Sequence, residues 1–177
     1  MSAPDPGAEL VDVLDDAGHT IGRTTRRDMR ARRLPHRCVY ILVFDQAGRL
    51  FVHLRTATKD VYPSHWDAAV GGVLGAGESF DDGARRELAE ELGVDAPLTP
   101  LFPFRYDDRA TVVHAMTYAT VHDGPFRLQA EEIVEGRFVA WPAFDALAAR
   151  EPVCPDSLAV VATYRRRYPE GGLAWRS

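Results

Sequence analysis

Two kinds of periodicity alternate along the chain. Short runs rich in β-branched and aromatic residues are separated by turn residues such as Asp, Gly and Pro, which is typical of strands. These runs predict strands at 9–14, 19–22, 37–44, 49–55, 66–70, 98–106, 111–122 and 136–141. Apolar residues at helical spacing predict helices at 24–33, 80–92, 142–150 and 156–167. Strands and helices therefore interleave, which favours an α/β fold, and the runs at 37–44 and 49–55 are expected to pair as a hairpin.

The helix predicted at 80–92 has the clearest pattern. Its apolar stripe is formed by Phe80, Ala84, Leu88 and Leu92. Ser79 is a favourable N-cap, Asp82 stands at the capping-box position, and Gly93 follows the last apolar residue. Before the helix, residues 71–77 contain four glycines, so this loop can adopt backbone angles that other residues avoid.

Three acidic residues share one turn of this helix. Glu87, Glu90 and Glu91 stand at i, i+3 and i+4, where their carboxylates lie close together. Hard oxygen donors in this arrangement suit Mg²⁺ or Mn²⁺. The acids by themselves also fit a solvated helix face, but the adjacent glycine loop favours the metal site because it can bring main-chain carbonyls to the same ion.

The segment resembles the Nudix box. The fixed positions are Gly72, Glu78, Arg86, Glu87, Leu88, Glu90, Glu91, Gly93 and Val94, all at the required spacing over 23 residues. The resemblance implies an α/β/α sandwich with a mixed sheet, dependence on a divalent cation, and hydrolysis of a diphosphate linked to another group. Nucleoside diphosphates, triphosphates and their derivatives are the expected small-molecule substrates.

The resemblance also assigns roles to residues of the box. It implies that Glu87 and Glu91 are the main ligands of Mg²⁺ or Mn²⁺, with Glu90 as a third ligand and the Gly71 carbonyl completing the site. Arg86 is expected to orient these carboxylates. Glu78 fits either an outer ligand or loop clamp, or an acid that interacts with the helix dipole.

Residues outside the box complete the predicted site. In some family members the general base is a box glutamate, whereas in others it comes from a later loop, where Glu131 and Glu132 are the candidates; they also fit a polar loop. The predicted substrate-binding residues are Arg55, Lys59, Tyr106 and His114, of which the first two would meet phosphates. The aromatic residues Trp66, Phe102, Phe104 and Tyr106 fit base stacking, but the sheet core is the favoured interpretation.

The flanking chain resembles the isopentenyl diphosphate isomerases and their hydrolase relatives. However, Gly71 stands where the isomerases have a catalytic cysteine, Val73 replaces a metal-binding histidine, and Ala115 lies near the second catalytic acid; His36 alone matches an upstream metal histidine. The sequence therefore favours a hydrolase on an isomerase-like frame. An isomerase-type enzyme and a nucleotide-binding sensor without catalysis are the alternatives.

Composition limits the class of protein. The 177 residues, with 46% hydrophobic and 27% charged residues, predict one globular domain at 9–177 after a flexible tail at 1–8. The net charge of −5 argues against nucleic acid as a partner. No apolar run approaches a membrane span and no signal segment is evident, so we expect a cytoplasmic protein. The basic residues between Arg23 and Arg33 are interpreted as a solvated helix face, and the resemblance leaves a homodimer open.

Overall fold

The computed structural model describes residues 5–176, except for the side chain of Trp175. Its strands are β1 (Leu10–Leu14), β2 (Thr20–Thr25), β3 (His36–Phe44), β4 (Leu50–Arg55), β5 (Trp66–Asp67), β6 (Thr99–Asp107), β7 (Val112–Val121) and β8 (Ile133–Val139). Its α-helices are α1 (Arg26–Ala31), α2 (Phe80–Leu92), α3 (Trp141–Arg150) and α4 (Pro155–Arg167). Short 3-10 turns cover Pro6–Ala8 and Ala174–Arg176.

The main sheet is mixed, as predicted. Its strands follow the order β5-β4-β3-β7-β6, and β8 also pairs with β4. The central pair β3 and β7 is parallel, with nine residue pairs from His36–Val113 to Phe44–Val121, whereas the other pairings are antiparallel. The first two strands, β1 and β2, form a separate two-stranded sheet.

Alternation along β3 builds the two cores. Cys38, Tyr40, Leu42 and Phe44 face one core together with apolar residues of α3 and α4. Val39, Ile41 and Val43 face the other core together with the apolar stripe of α2. Because successive side chains of a strand point to opposite faces, one central strand supports helices on both sides. This gives the predicted α/β/α sandwich.

The predicted hairpin of β3 and β4 is only partly formed. The two strands pair at Phe44 and Leu50, next to their turn, and then separate. The reason is that the chain after β5 takes the place beside β3: the Ile41 amide donates to the Val70 carbonyl at 2.7 Å, and the Val39 amide donates to the Gly72 carbonyl at 3.1 Å. The predicted strand at 66–70 correspondingly begins beside β4 and continues beside β3. The glycine loop thus occupies the opening between β3 and β4.

The ends of α2 follow the sequence closely. Ser79 accepts the Asp82 amide at 3.1 Å through its hydroxyl, and Gly93 closes the helix in the left-handed conformation at a φ of 67°. These caps fix the register of the helix, and therefore the direction in which its glutamates point.

The chain before β1 packs against α1. Residues 1–4 of the predicted flexible tail lie outside the described residues, whereas Asp5 pairs with Arg27 at 2.6 Å and the 3-10 turn Pro6–Ala8 follows. The flexibility of this tail stays a prediction. Among residues 5–176, no helix is long and apolar enough to cross a membrane.

Candidate active site

Two of the predicted metal ligands are buried although they are acidic. Helix α2 directs Glu87 and Glu91 inward, where they are 7% and 4% exposed. Glu90 lies at the edge of the helix and is half-exposed. Burial of two adjacent carboxylates is costly unless something compensates their charge. Packing of the helix against the core therefore does not explain why these two acids are buried.

One guanidinium holds the acidic residues in place. Arg86 donates to both oxygens of Glu78, at 2.8 and 2.9 Å, in a bidentate pair. It also donates to Glu87 at 2.8 Å and to Glu90 at 3.1 Å. Glu78 in turn accepts the Gly75 amide at 2.9 Å, which ties the helix to the glycine loop. These contacts fit the orienting role predicted for Arg86 and the loop-clamp alternative for Glu78.

The glycine loop approaches the glutamates too closely for a side chain. A Cβ atom on Gly72 would lie 2.6 Å from Oε1 of Glu87. Gly71 has a φ of 150°, and a Cβ atom there would lie 2.0 Å from the Val39 carbonyl oxygen. The Gly72 carbonyl is used by β3, whereas the Gly71 carbonyl accepts no hydrogen bond from the described part of the chain. The Gly71 oxygen is therefore available to a ligand.

Charge compensation is incomplete at Glu91. Burial, together with the Glu87 carboxylate, raises the pKa of Glu91 to about 8. Burial also raises the pKa of Glu87, against the opposing effect of Arg86. The Oε2 atom of Glu91 is buried and has no hydrogen-bond partner among the described residues. A buried carboxylate in this state is suited to a cation.

A wide cleft runs past these residues. Its acidic half, a cavity of about 690 Å³, is lined by Arg86, Glu87, Glu90 and Glu91. Its basic half, of about 750 Å³, is lined by Arg26, Arg27, Arg30, Arg55 and Lys59. Gly71 and Gly72 line both halves, so the glycine loop marks their boundary. A ligand that spans the cleft meets the α2 carboxylates at one end. At the other end it meets a group of cations that is interspersed with acidic residues, namely Asp5, Asp60, Glu131 and Glu132.

The structure brings two of the predicted substrate residues into the cleft. Arg55 lines the basic half, although its guanidinium is already bonded to Asp67 at 3.1 Å and to the Val61 carbonyl at 3.0 Å. Lys59 lines both halves and pairs with Glu132. Of the two, Lys59 is the cation better placed to meet a ligand.

The other two predicted substrate residues lie outside the cleft. His114 lines a separate depression with Phe80, Phe104 and Arg105, because it is in register with Arg37 on the α2 side of the sheet. Tyr106 packs against the core on the α3 and α4 side and donates its hydroxyl to Asp108 at 3.3 Å. Neither side chain lines either half of the cleft.

The favoured interpretation of the aromatic residues agrees with their positions. Trp66 and Phe102 are 7% and 1% exposed and belong to the core beneath α3 and α4, with Phe104 and Tyr106 packed against it. An edge-to-face contact joins Phe104 to Tyr40 at 5.8 Å. These rings stabilise the sheet and are not arranged as a stacking surface in the cleft.

The basic segment Arg23–Arg33 contributes to the cleft, which the sequence interpretation missed. Met29 is fully buried and fixes the rotation of the short helix α1. Arg26 and Arg30, one turn apart, consequently line the basic half, and Arg30 also donates to Thr111 at 3.3 Å. The i, i+4 spacing of these arginines around an apolar residue could have indicated that both lie on one face of the helix. The position of α1 beside the cleft, however, depends on tertiary packing.

The structure separates the two candidate bases. Glu132 lines both halves of the cleft, whereas Glu131 is exposed and reaches only the basic half and an outer depression. Thr56 fixes this loop, because its amide donates to the Glu132 carbonyl at 3.1 Å and its hydroxyl to the Glu131 carbonyl at 3.0 Å. Position therefore favours Glu132.

Comparisons with known proteins agree with the fold and the box. The model of the NUDIX domain family matches residues 34–164, so the chain belongs to this family. A Pseudomonas aeruginosa protein named uncharacterized Nudix hydrolase PA4841 is 43% identical over 159 residues, covering 89% of this chain and 94% of its own. The Nudix hydrolase YfcD of Escherichia coli K12 is 37% identical, with coverage of 90% and 88%.

A solved structure shows the same architecture. The protein DR0079 of Deinococcus radiodurans superimposes with a TM-score of 0.76 at 25% identity, covering 90% of this chain and 98% of its own. The protein is thus a Nudix hydrolase, a family whose members cleave diphosphate linkages and generally use divalent metal ions. The comparisons do not confirm the isomerase-like branch.

Proposed function

We propose that this Nudix hydrolase is a pyrophosphohydrolase that requires Mg²⁺ or Mn²⁺ and cleaves a phosphoanhydride bond. Its substrate is a nucleoside diphosphate or triphosphate, or a related diphosphate linked to another moiety. The observation that carries this proposal is the buried Glu91 carboxylate, which lies beside Glu87 at the cleft and has an oxygen without a partner.

The residues at the acidic half fit a divalent cation. Glu87 and Glu91 would hold the ion through carboxylate oxygens, the Gly71 carbonyl is free to join them, and Glu90 lines the same half of the cleft, where it would contribute through water. Among the described residues, no three acidic, histidine or cysteine side chains form a complete ligand cluster. Main-chain, water or substrate oxygens would therefore complete the shell, as is usual for Mg²⁺.

Hydrolysis requires that negative charge on the diphosphate be neutralised. The bound ion would supply Lewis-acid activation of the phosphate and of water. The chain supplies the remaining functions: Arg86 keeps the carboxylates oriented, Lys59 and Arg26 attract phosphate oxygens, and Glu132 is the group available to accept a proton from water.

Size and charge support a nucleotide-like substrate. Each half of the cleft has the volume of a small-molecule site, at about 690 and about 750 Å³. The basic half is rich in arginine, which suits phosphate groups. The NUDIX domain of Shewanella oneidensis NrtR, which shares this fold at 18% identity and a TM-score of 0.60, was crystallised with ADP ribose. This supports a test of nucleoside diphosphate derivatives alongside simple nucleotides.

The experiment is a panel of nucleoside di- and triphosphates and nucleoside diphosphate derivatives with Mg²⁺ or Mn²⁺, measured by release of phosphate or pyrophosphate. We expect turnover by the wild type and a loss of at least about 100-fold in kcat for Glu91→Gln and Glu87→Gln, because charge stabilisation at the reacting phosphate is lost. Binding of Mn²⁺, followed by calorimetry, should weaken in the same variants.

The matched control is Glu135→Gln. Glu135 is an exposed carboxylate on β8 without a side-chain partner among the described residues, so its variant should keep wild-type turnover. Turnover that survives Glu91→Gln would contradict the metal role. Nucleotide-dependent thermal stabilisation without turnover would instead support the inactive sensor, and conversion of isopentenyl diphosphate would support the isomerase.

A further inference from the structure

An ion pair crosses the cleft where its two halves meet. Lys59 belongs to the loop after β4, and Glu132 immediately precedes β8. They are paired with each other, and each lines both halves of the cleft. Thr56 ties the two loops together through the hydrogen bonds to the carbonyls of Glu131 and Glu132. The pair is thus held at the point that a substrate spanning both halves must pass.

Charges of both signs act on Lys59 from the elements around it. Its side chain is 15% exposed, and that of Glu132 is 30% exposed. Burial lowers the pKa of Lys59, as do the guanidinium groups of Arg55 from β4 and Arg26 from α1. The carboxylates of α2 act in the opposite direction. A partly desolvated ammonium group needs an anionic partner, and in the substrate-free protein Glu132 provides it.

A bound diphosphate changes this balance. It brings several negative charges next to the pair, where they repel the Glu132 carboxylate and attract the Lys59 ammonium group. The phosphate oxygens then compete directly with Glu132 for Lys59, and the multiply charged group has the stronger attraction. Since Glu132 lines the acidic half as well, its carboxylate can leave Lys59 and still face the cleft.

We propose that Lys59 exchanges partners during the reaction, pairing with Glu132 in the free enzyme and with a diphosphate oxygen in the complex. The exchange releases the Glu132 carboxylate, which then acts as the general base. This inference rests on the proposed hydrolase function. It assigns Lys59 a coupling role between substrate binding and the availability of the base, in addition to phosphate attraction.

The chemical step balances without a further reactant. The oxygen of a water molecule forms a bond to phosphorus, and the bridging P–O bond of the phosphoanhydride breaks, with its electron pair leaving on the departing phosphate. The proton lost by the water goes to the Glu132 carboxylate, which returns it to solvent. After the product has left, Glu132 pairs with Lys59 again.

The test compares pH profiles of kcat/KM and kcat at saturating Mg²⁺ for the wild type, Lys59→Met and Lys59→Arg, with the best substrate of the panel. The acidic limb of kcat/KM reports the ionisation of the base in the free enzyme, and the acidic limb of kcat reports its ionisation in the enzyme–substrate complex. Lys59→Met removes the cation that favours the ionised Glu132 in the free enzyme, so the acidic limb of kcat/KM should move to higher pH by about one unit. The acidic limb of kcat should not move, because in the complex Lys59 pairs with the diphosphate. Lys59→Arg should restore the wild-type profile.

Variants of the acid complete the test. Glu132→Gln should lower kcat about 100-fold and abolish the acidic limb, because the base is lost. The double variant Lys59→Met with Glu132→Gln should have the kcat of Glu132→Gln alone, since the two residues act as a unit. Glu135→Gln is the matched control, because Glu135 is an exposed carboxylate on β8 that lines neither half of the cleft, and it should keep the wild-type profile.

Specific outcomes overturn the inference while leaving the proposed function intact. They are an unshifted kcat/KM limb in Lys59→Met, equal shifts in both profiles, or full turnover by Glu132→Gln in an enzyme that otherwise hydrolyses diphosphates. A wild type that hydrolyses no member of the panel would overturn the proposed function itself. Thermal melting of each variant establishes that it is folded before its rates are compared.

Discussion

The two halves of the cleft are built in different ways. The candidate metal ligands of the acidic half come from one continuous segment, residues 71–91, in which the glycine loop, Arg86 and the glutamates contact one another directly. The basic half is assembled from α1, the loop after β4 and the loop before β8. The comparison teaches that the candidate metal ligands are local in sequence, whereas the cations of the basic half are gathered from distant segments.

The largest effect is expected from Gly71→Ala, which tests how rigid the acidic half is. The new Cβ atom would lie 2.0 Å from the Val39 carbonyl oxygen, at a φ of 150° that only glycine adopts readily. We expect the free energy of unfolding to fall by about 3 kcal/mol or more, because main chain must move. Urea unfolding measures this.

The neighbouring Gly75→Ala is the matched control for that change. Its Cβ atom would meet Oε1 of Glu9 at 3.4 Å, an ordinary contact, so we expect little loss of stability. Equal losses of stability in the two variants would mean that the glycine loop tolerates no side chain at either position. The close approach of Gly71 to β3 would then not be the cause of its loss of stability.

An intermediate effect is expected from pH in the metal-free protein. Because the pKa of Glu91 is about 8 in the folded protein and about 4.5 in the unfolded chain, the folded state binds more protons between these values. The free energy of unfolding should therefore fall as pH rises from about 4.5 to about 8, and saturating Mn²⁺ should reduce this fall.

Urea unfolding in EDTA and in Mn²⁺ across this pH range measures the effect. Glu91→Gln provides the control, since it removes the titrating group and should make the EDTA profile flatter. A wild-type profile that rises with pH in EDTA would show that Glu91 is ionised without a metal and that the acidic half is already compensated.

The smallest effect is expected from Arg26→Gln in the basic half. The substitution removes one of several cations that line the cavity, so KM should rise about 3-fold to 10-fold with little change in kcat. Raising the salt concentration should reduce the difference from the wild type, because salt screens the attraction between this partly exposed cation and the substrate. Steady-state kinetics at two salt concentrations measures this.

Arg32→Gln is the control for the basic half. Arg32 is exposed at the end of α1, does not line the cleft and has no side-chain partner among the described residues. A KM increase as large as that of Arg26→Gln would show that the net charge of α1 matters and that the position of each arginine does not.

The sequence by itself determined the local parts of this protein. The bounds of α2 at 80–92, its caps, and the spacing that places Glu87 next to Glu91 follow from a 3.6-residue period and short-range hydrogen bonds. The interleaved strand and helix patterns likewise indicated an α/β fold, and the resemblance to the Nudix box implied the α/β/α layers that the structure shows. These features depend on residues close in sequence, or on a single polarity pattern.

Only the tertiary structure decided which distant residues meet. The separation of β3 and β4 depends on the chain at 70–73 pairing with β3, which no local pattern encodes. His114 lies beside Arg37 in a separate depression next to the start of α2, and Arg26 lines the cleft because Met29 is buried. Register and helix rotation are set by contacts across the fold, so the spacing of the candidate metal ligands could be predicted and the arrangement of the cations in the basic half could not.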